Sequence, residues 1–517
     1  MLTPEYLATF PDYIVELFEQ YDAFVIQDFA RRVAKAGRVT DMAEWQAVRA
    51  DEMGLSMDEL TKRSSELLKI TQEELKSMYQ EAYDSYVESD EKRFSGTGLN
   101  YERIVNNPEL RGYMKAAQEQ TQRSLQNIFW HDGAIKSMTG TTATMLKVGA
   151  NYLPVSKAYT MALDLAQMQV STGVLDYTTA IRQAIRSVAK QGVSTVIGDA
   201  VGYDSGYRIS VRSASRMCVL TGVNQMAGNM NRMVCDELDL DLVETTAHMG
   251  ARPSHQVWQG QIFSRSGKSD KYPDLVEGTG FGTVSGLMGA NCRHNYYGYY
   301  EGSPRAYSDK ELYAMTDEGG PHIEYEGKTY TYYEATQKQR QLERAIISTK
   351  RELIGYDAAD DQEAFTEASI KLRGQKKRYM DFSKKAGILP QTEWLHQDGY
   401  DRSLSEKATW AVRKASTTQL TNAVGRGIIT NRDVSQYGIP NSIVQSVAKK
   451  GGITRDYYDG NGLWVKEISN NDHGFPKRHP FGKNGEHAHD ITWNNGKQRR
   501  TSRELTEDER KENADIL

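Results

Sequence analysis

The chain has 517 residues, of which 38% are hydrophobic and 26% charged, and its formal net charge is −5. That length predicts roughly two to four domains. The acidic balance argues against a dominant nucleic-acid-binding surface, which would shift the charge basic. Three cysteines, Cys218, Cys235 and Cys292, cannot build a disulfide framework and fit a reducing compartment. No stretch of about 18 apolar residues predicts a membrane span, and the opening MLTPEYLATFPDYIVELF has no basic region before an apolar run, so it does not read as a secretory signal.

Residues 1–240 read as a predominantly helical region. Helices are predicted over 12–36, 41–53, 57–69 and 71–88, separated by Gly37, Gly54 and Thr71, with a loop at Gly96-Thr97-Gly98 and a long helix over 107–130. After Asp176, residues Tyr177, Ala180, Ile181, Ala184, Ile185 and Val188 recur at helical spacing and form one apolar stripe. Asp176 offers an N-cap to this helix and Gly192 a stop signal. A further helix over 207–234 carries the small residues Ala214, Cys218 and Gly222, which permit close packing.

The pattern changes in the block 241–335. Residues 241–246 and 295–300 read as strands, and 322–331 as a hairpin turning at Glu326-Gly327. Tyr296, Tyr297, Tyr299 and Tyr300 fit either a Tyr-rich core strand or an interface, since tyrosine offers both area and a hydroxyl. Residues 336–386 read as a charged, solvated helical hairpin broken between Gly355 and Asp361. Its stripes are Leu342, Ile346 and Leu353, then Phe365, Ala368 and Leu372. Residues 387–450 read as a linker, with Pro390 and Asp398-Gly399, followed by short helices. A small β-containing module over 451–517 has strands at 463–468 and 490–493 and a turn at Asn494-Asn495-Gly496. The fold class is therefore α+β.

Ligand-type side chains are concentrated in two places. The chain has only ten histidines and three cysteines, yet His248, His255, Cys292 and His294 share one short block. Four N and S donors suit tetrahedral zinc, but His-x6-His, a gap of 36 residues and Cys-x-His is not a standard knuckle. The alternative is that these histidines hydrogen-bond to backbone while Cys292 is a small buried hydrophobe. A nucleophilic cysteine, activated by Arg293 and an imidazole, is a third reading. Gly278, Gly280 and Gly282 form GxGxG rather than the dinucleotide fingerprint and read as turn geometry.

The second concentration is His473, His479, His487 and His489, four of the ten histidines within 17 residues. A strand would place His487 and His489 on one face, a geometry for metal or for general acid–base chemistry. Ordered polar loops are the alternative. Zinc is the candidate cofactor at both places, and no catalytic residue is assigned.

The stretch Ala251-Arg252-Pro253-Ser254-His255 with Trp258-Gln259-Gly260, followed by Gly289-Ala290-Asn291-Cys292-Arg293-His294, resembles the phage minor capsid protein 2 family, relatives of the Mu-type head morphogenesis proteins. The resemblance extends over roughly residues 1–385 and is specific at 244–302. It implies a low-copy structural protein of a tailed-phage head, without an established reaction. Its expected partners are the portal and capsid proteins, with contact to packaged DNA and self-association as further candidates and no membrane. The expected location is the virion, after assembly in the host cytoplasm. The alternative function is a virion-carried effector whose C-terminal module is a metal-dependent nuclease or toxin; a cysteine protease built on the 248–294 block is a third.

Overall fold

The structure, a computed structural model, describes residues 2–36, 42–94, 107–129, 144–148, 151–171, 176–197, 207–417, 424, 426–430, 434, 441–448, 452–459, 463–494 and 497–517. They form two compact units, Met1–Asp401 and Arg402–Leu517. The protein is α+β, with a helical N-terminal region and a β-rich C-terminal module.

The first unit opens with α1 (Pro4–Thr9), α2 (Asp12–Ala36), α3 (Met42–Phe94) and α4 (Pro108–Phe129). The sequence pattern divides α3 at Gly54 and Thr71, but the helix runs through both. An isolated glycine costs only about 1 kcal/mol relative to alanine in a helix. Thr71 is buried and returns its hydroxyl to the Leu67 carbonyl at 2.7 Å, so it is satisfied without ending the helix. The loop expected at Gly96–Gly98 lies outside the described residues.

Next come four strands that helical periodicity does not predict: β1 (Thr144–Val148), β2 (Asn151–Pro154), β3 (Ser194–Ile197) and β4 (Tyr207–Ser210). They form an antiparallel sheet in the order β2-β1-β3-β4. Strands of four or five residues are too short to display an alternation against a helical background.

Helices α5 (Val155–Ser171) and α6 (Tyr177–Gln191) lie between them in sequence. Asp176 caps α6 by accepting the Thr179 N–H at 2.9 Å, and Gly192 ends it with φ 66°. Ala180, Ile181, Ile185 and Val188 are buried, as their spacing predicts, and Ala184 is half-buried. The Tyr177 side chain lies outside the described residues.

Ser210 caps α7 (Val211–Glu237), which starts after the β4 strand rather than at residue 207. This helix packs on α2 and α4. A Cβ on Gly222 would lie 2.0 Å from Thr121 Oγ1 and 2.4 Å from the Tyr79 hydroxyl, so the glycine sets how closely α3, α4 and α7 approach.

Three antiparallel strands in the order β6-β5-β7 follow: β5 (Leu242–Thr245), β6 (Ile262–Ser264) and β7 (Tyr296–Gly298). Short helices α8 (Pro253–Gln256), α9 (Leu275–Thr279) and α10 (Asp309–Ala314) sit in their connections and just beyond. Tyr296, Tyr297 and Tyr299 are buried and only Tyr300 is exposed, so this stretch is mainly core. The predicted hairpin is β8 (Ile323–Tyr325) and β9 (Lys328–Tyr330). It turns where Glu326 and Gly327 both have positive φ, 50° and 76°.

Helices α11 (Tyr332–Ala358) and α12 (Gln362–Ala386) form the predicted pair, broken at Ala359–Asp361, inside the predicted interval Gly355–Asp361. The pair is not solvated as its charge suggests. Helix α11 packs against α2 and α6 as well as α12. Its Lys350, Arg351 and Glu352 are buried; Arg351 pairs with buried Asp22 and Glu352 with Lys371 at 2.9 Å. Pairing satisfies charges that composition alone assigns to solvent.

The second unit holds α13 (Arg402–Thr417), a six-stranded sheet and α14 (Glu507–Glu512). The strands run in sequence order: β10 (Ile428–Thr430), β11 (Ile443–Val447), β12 (Ile453–Tyr458), β13 (Trp464–Ser469), β14 (His487–Asn494) and β15 (Lys497–Arg503). All neighbours are antiparallel except β10 and β11. The sequence reading expects only short helices over 404–450, but β10 and β11 belong to this sheet. Ile443, Tyr457, Ile468, Ala488 and Leu505 form one apolar cluster, and Val444, Tyr458, Trp464 and Ile491 another. Adjacent residues such as Ile443 and Val444 fall in different clusters, as period-two alternation requires. Of the predicted Asn494-Asn495-Gly496 turn, Asn495 and Gly496 lie outside the described residues.

Candidate functional site

The first cluster is assembled from three chain segments held by α7. Asn224 of α7, fully buried, donates Nδ2 to the carbonyls of Cys292 at 2.9 Å and His294 at 3.0 Å, fixing the loop that leads into β7. His255 comes from α8, whose first turn begins at Pro253. Trp258 closes one side, its ring 4.6 Å from that of His255 and 4.9 Å from that of His294.

His255, Cys292 and His294 are brought together. Cys292 Sγ lies 3.8 Å from His255 Nδ1 and 3.6 Å from His294 Nδ1, and these two nitrogens are 3.3 Å apart. All three side chains are buried. The outer nitrogens are held as well: His255 Nε2 is 2.9 Å from the Ser285 carbonyl, and His294 Nε2 is 3.1 Å from Gln259 Oε1. The same Gln259 oxygen accepts the backbone N–H of His248 at 3.1 Å, which fixes the orientation of its amide. Both outer nitrogens therefore donate, and both Nδ1 atoms present bare lone pairs toward Cys292.

His248, predicted as a fourth ligand, is not among the donor atoms that lie within 4.8 Å of one another. It stacks on His294 with ring centroids 4.4 Å apart, and its Nδ1 lies 3.0 Å from the Met249 carbonyl and 3.2 Å from the Arg293 guanidinium. Burial, then the neighbouring Arg293, pushes its pKa down to about 4. Burial likewise pushes His255 and His294 down, so all three imidazoles are neutral near pH 7.

The nucleophile reading of Cys292 requires a thiolate. Burial pushes its thiol up, away from the reactive thiolate. The histidines beside it are oriented by the Ser285 carbonyl and by the Gln259 amide. The glycine run is turn geometry, as its spacing indicates. Gly280 and Gly282 have φ of 65° and 87°, and a Cβ on Gly286 would lie 1.9 Å from the Gly280 carbonyl. That tight loop delivers the Ser285 carbonyl to His255.

His255, Cys292 and His294 line a cleft of about 670 Å³. Its other walls include Arg216, Arg252, Arg293, Arg340 and Trp394. Arg216 and Arg340 lie over the Trp394 ring at 4.6 and 4.4 Å. Burial and the proximity of further arginines push Arg340 down to about 10, with Glu343 opposing, which marks a concentration of positive charge.

The second cluster lies on the sheet of the second unit. His487 and His489 share a face of β14, with their Nε2 atoms 3.0 Å apart. The donor atoms of His473, His487 and His489 fall within 4.8 Å of one another, and His479 stacks on His487 at 4.0 Å. The strand register opposes Asp456 to Glu467, Glu467 to His489 and His489 to Ser502, a polar row across four strands. Glu467 Oε1 is 3.8 Å from His489 Nε2 and 3.9 Å from His473 Nε2, and Arg500 pairs with the other oxygen at 3.1 Å.

Residues 2–384 match the family of the phage minor capsid protein 2. The chain belongs to that family. A phage structural protein is also similar: the "Structural protein" of Lactococcus phage LL-H is 25% identical over 164 residues, 31% of this chain and 43% of the relative. The chain thus spans less than half the length of that curated relative. No solved structure matches the chain. No described helix is long and apolar enough to cross a membrane. The family match covers nearly all of the first unit, with its arginine-lined cleft, and ends before the second begins.

Sequence reading found the histidines and Cys292 but not the groups that position them. Asn224 and Ser285 carry no signal, and Gln259, although part of the Trp258-Gln259-Gly260 motif, shows no positioning role, because amides and carbonyls become informative only when a partner faces them. Glu467 and Asp456 were equally hidden, since strand register is invisible before β12–β15 are paired.

Proposed function

We propose that this minor capsid protein docks on the portal or the inner face of the shell through its first unit during head assembly in the host cytoplasm, and stays in the virion. The observation that supports this reading is the coincidence of the family match, residues 2–384, with the compact unit Met1–Asp401. Co-expression of the full chain with the phage's own portal protein, followed by gel filtration, tests it. Co-elution is expected, and it should survive deletion of 402–517. Separate elution at micromolar concentrations would remove the portal from the reading.

A second reading assigns the unit Arg402–Leu517 to a virion-carried effector acting as a metal-dependent nuclease or toxin. What favours it is the row Asp456, Glu467, His489 and Ser502 beside His473 and His487, which sets carboxylates against imidazoles as general acid–base chemistry requires. Incubating the full chain with RNA and with DNA, with divalent cation or chelator, tests it. Cleavage that vanishes in a His487→Ala/His489→Ala variant would support the effector, and intact substrate throughout would leave a binding or structural role.

A further inference from the structure

We propose that His255, Cys292 and His294 hold a zinc ion through Nδ1, Sγ and Nδ1, with the fourth position open to the arginine-lined cleft for an anionic oxygen ligand. The proposal stands independently of which head protein the chain docks on.

The distances fit. Tetrahedral zinc, with bonds of about 2.0–2.1 Å to nitrogen and about 2.3 Å to sulfur, separates two nitrogens by roughly 3.3 Å and a nitrogen from sulfur by roughly 3.5 Å. The observed separations are 3.3, 3.6 and 3.8 Å.

The protonation pattern points the same way. With both outer nitrogens donating, to Ser285 and to the orientation-fixed Gln259, two bare imidazole lone pairs face each other across 3.3 Å in a buried site. No proton lies between them, and the one thiol proton can go to only one acceptor. A cation at the centre satisfies all three donors at once. Outer-nitrogen bonds to a carbonyl and an amide oxygen are also the contacts that hold metal-bound imidazoles in place.

The open position follows from the surroundings. All three ligands line the cleft, while His248 stacks beside them rather than joining them. Among the described residues neither Arg293 nor Arg340, both in the cleft wall, takes part in an ion pair with a carboxylate. Guanidiniums beside a dication favour an oxyanion, such as a carboxylate or a phosphate, with Glu343 the carboxylate that faces Arg340 in the same cleft.

The test uses the full chain carrying His487→Ala and His489→Ala, so that bound metal reports on this site and not on the second cluster. Elemental analysis after gel filtration should give one zinc per chain. Exchange for cobalt(II) should produce intense visible bands of tetrahedral coordination and a near-ultraviolet thiolate-to-cobalt band. Cys292→Ser should abolish the thiolate band, and His294→Ala should weaken zinc binding by at least about tenfold. Inorganic phosphate, the probe for the fourth position, should shift the visible bands.

A metal-free protein that gives no thiolate–cobalt band would overturn the proposal, as would Cys292→Ser retaining zinc with unchanged affinity. Cobalt bands indifferent to saturating phosphate would overturn the open position. The cobalt spectrum is read on the intact triad, so the test does not depend on any triad variant folding.

Discussion

At the residue scale, the acidic groups of the second unit carry opposite pH dependences. Asp456 is pushed up to about 8, by burial first and by neighbouring Glu467 next, and its Oδ1 has no hydrogen-bond partner. An unfolded aspartate releases its proton near pH 4. Between about pH 4 and 8 the folded chain therefore holds a proton that the unfolded chain has lost, and stability falls as pH rises. We predict that Asp456→Asn raises the melting temperature of this unit at pH 8, by on the order of a few kcal/mol of stability. At pH 4 it should have little effect. Scanning calorimetry at both pH values checks this; equal gains at both would mean that burial of charge is not the cause.

Glu509 behaves in the opposite way: the Arg503 guanidinium bonded to it holds its carboxyl well below the usual carboxylate range, against the effect of burial. Its contribution is complete above the unfolded value near pH 4.3 and is lost as pH falls below it. In the first unit, Asp22→Ala would strip buried Arg351 of its ion-pair partner and also remove an acceptor for the Val193 N–H. A loss of roughly 3–5 kcal/mol is expected, read as a fall in the denaturation midpoint.

At the element scale, close approach rather than apolar area sets the helical packing. Gly222→Val would drive a branched side chain into Thr121 and the Tyr79 hydroxyl, which already bond each other at 2.6 Å. Overpacking of about 1–3 kcal/mol or more is expected, with the unfolding rate rising. Ile181→Asp would bury a carboxylate in the α6 stripe and should cost several kcal/mol, measured by denaturant titration. Helix α6 was legible because its stripe, its Asp176 cap and its Gly192 stop agree. Strands β1–β4 were not, because each is too short to show an alternation and the β1–β3 pairing that joins the two hairpins links residues about 50 positions apart. The break in α3 was predicted at Gly54 and Thr71 and did not occur, because tertiary packing outweighs a local penalty of about 1 kcal/mol.

At the scale of the whole molecule, the division at Asp401/Arg402 predicts what can be separated. A fragment of 402–517 should fold cooperatively. A fragment of 451–517, the module suggested by composition, lacks β10 and β11 and leaves the β12 edge unpaired. It also removes Ile428 and Ile443 from one core cluster and Val444 from the other. It should give a broad, low-temperature transition in circular dichroism, whereas 402–517 should give a sharp one. If the second histidine cluster binds zinc, chelator should lower the 402–517 midpoint, because metal affinity adds to folding free energy. Identical melting with zinc and chelator would leave those histidines to hydrogen bonding or acid–base chemistry.

By itself the sequence determined the α+β class, the caps and stripe of α6, the β8–β9 hairpin, the two histidine concentrations and the resemblance to a capsid family. Each of these is written in residues close together, where helix period, turn chemistry and motif are local properties. Tertiary structure alone decided that His248 stacks while His255, Cys292 and His294 converge, that α11 buries its charges, and that β10 and β11 complete the second sheet. Those outcomes depend on contacts between residues tens to hundreds of positions apart. The loop-closure and desolvation costs of such contacts are met only when the whole unit assembles.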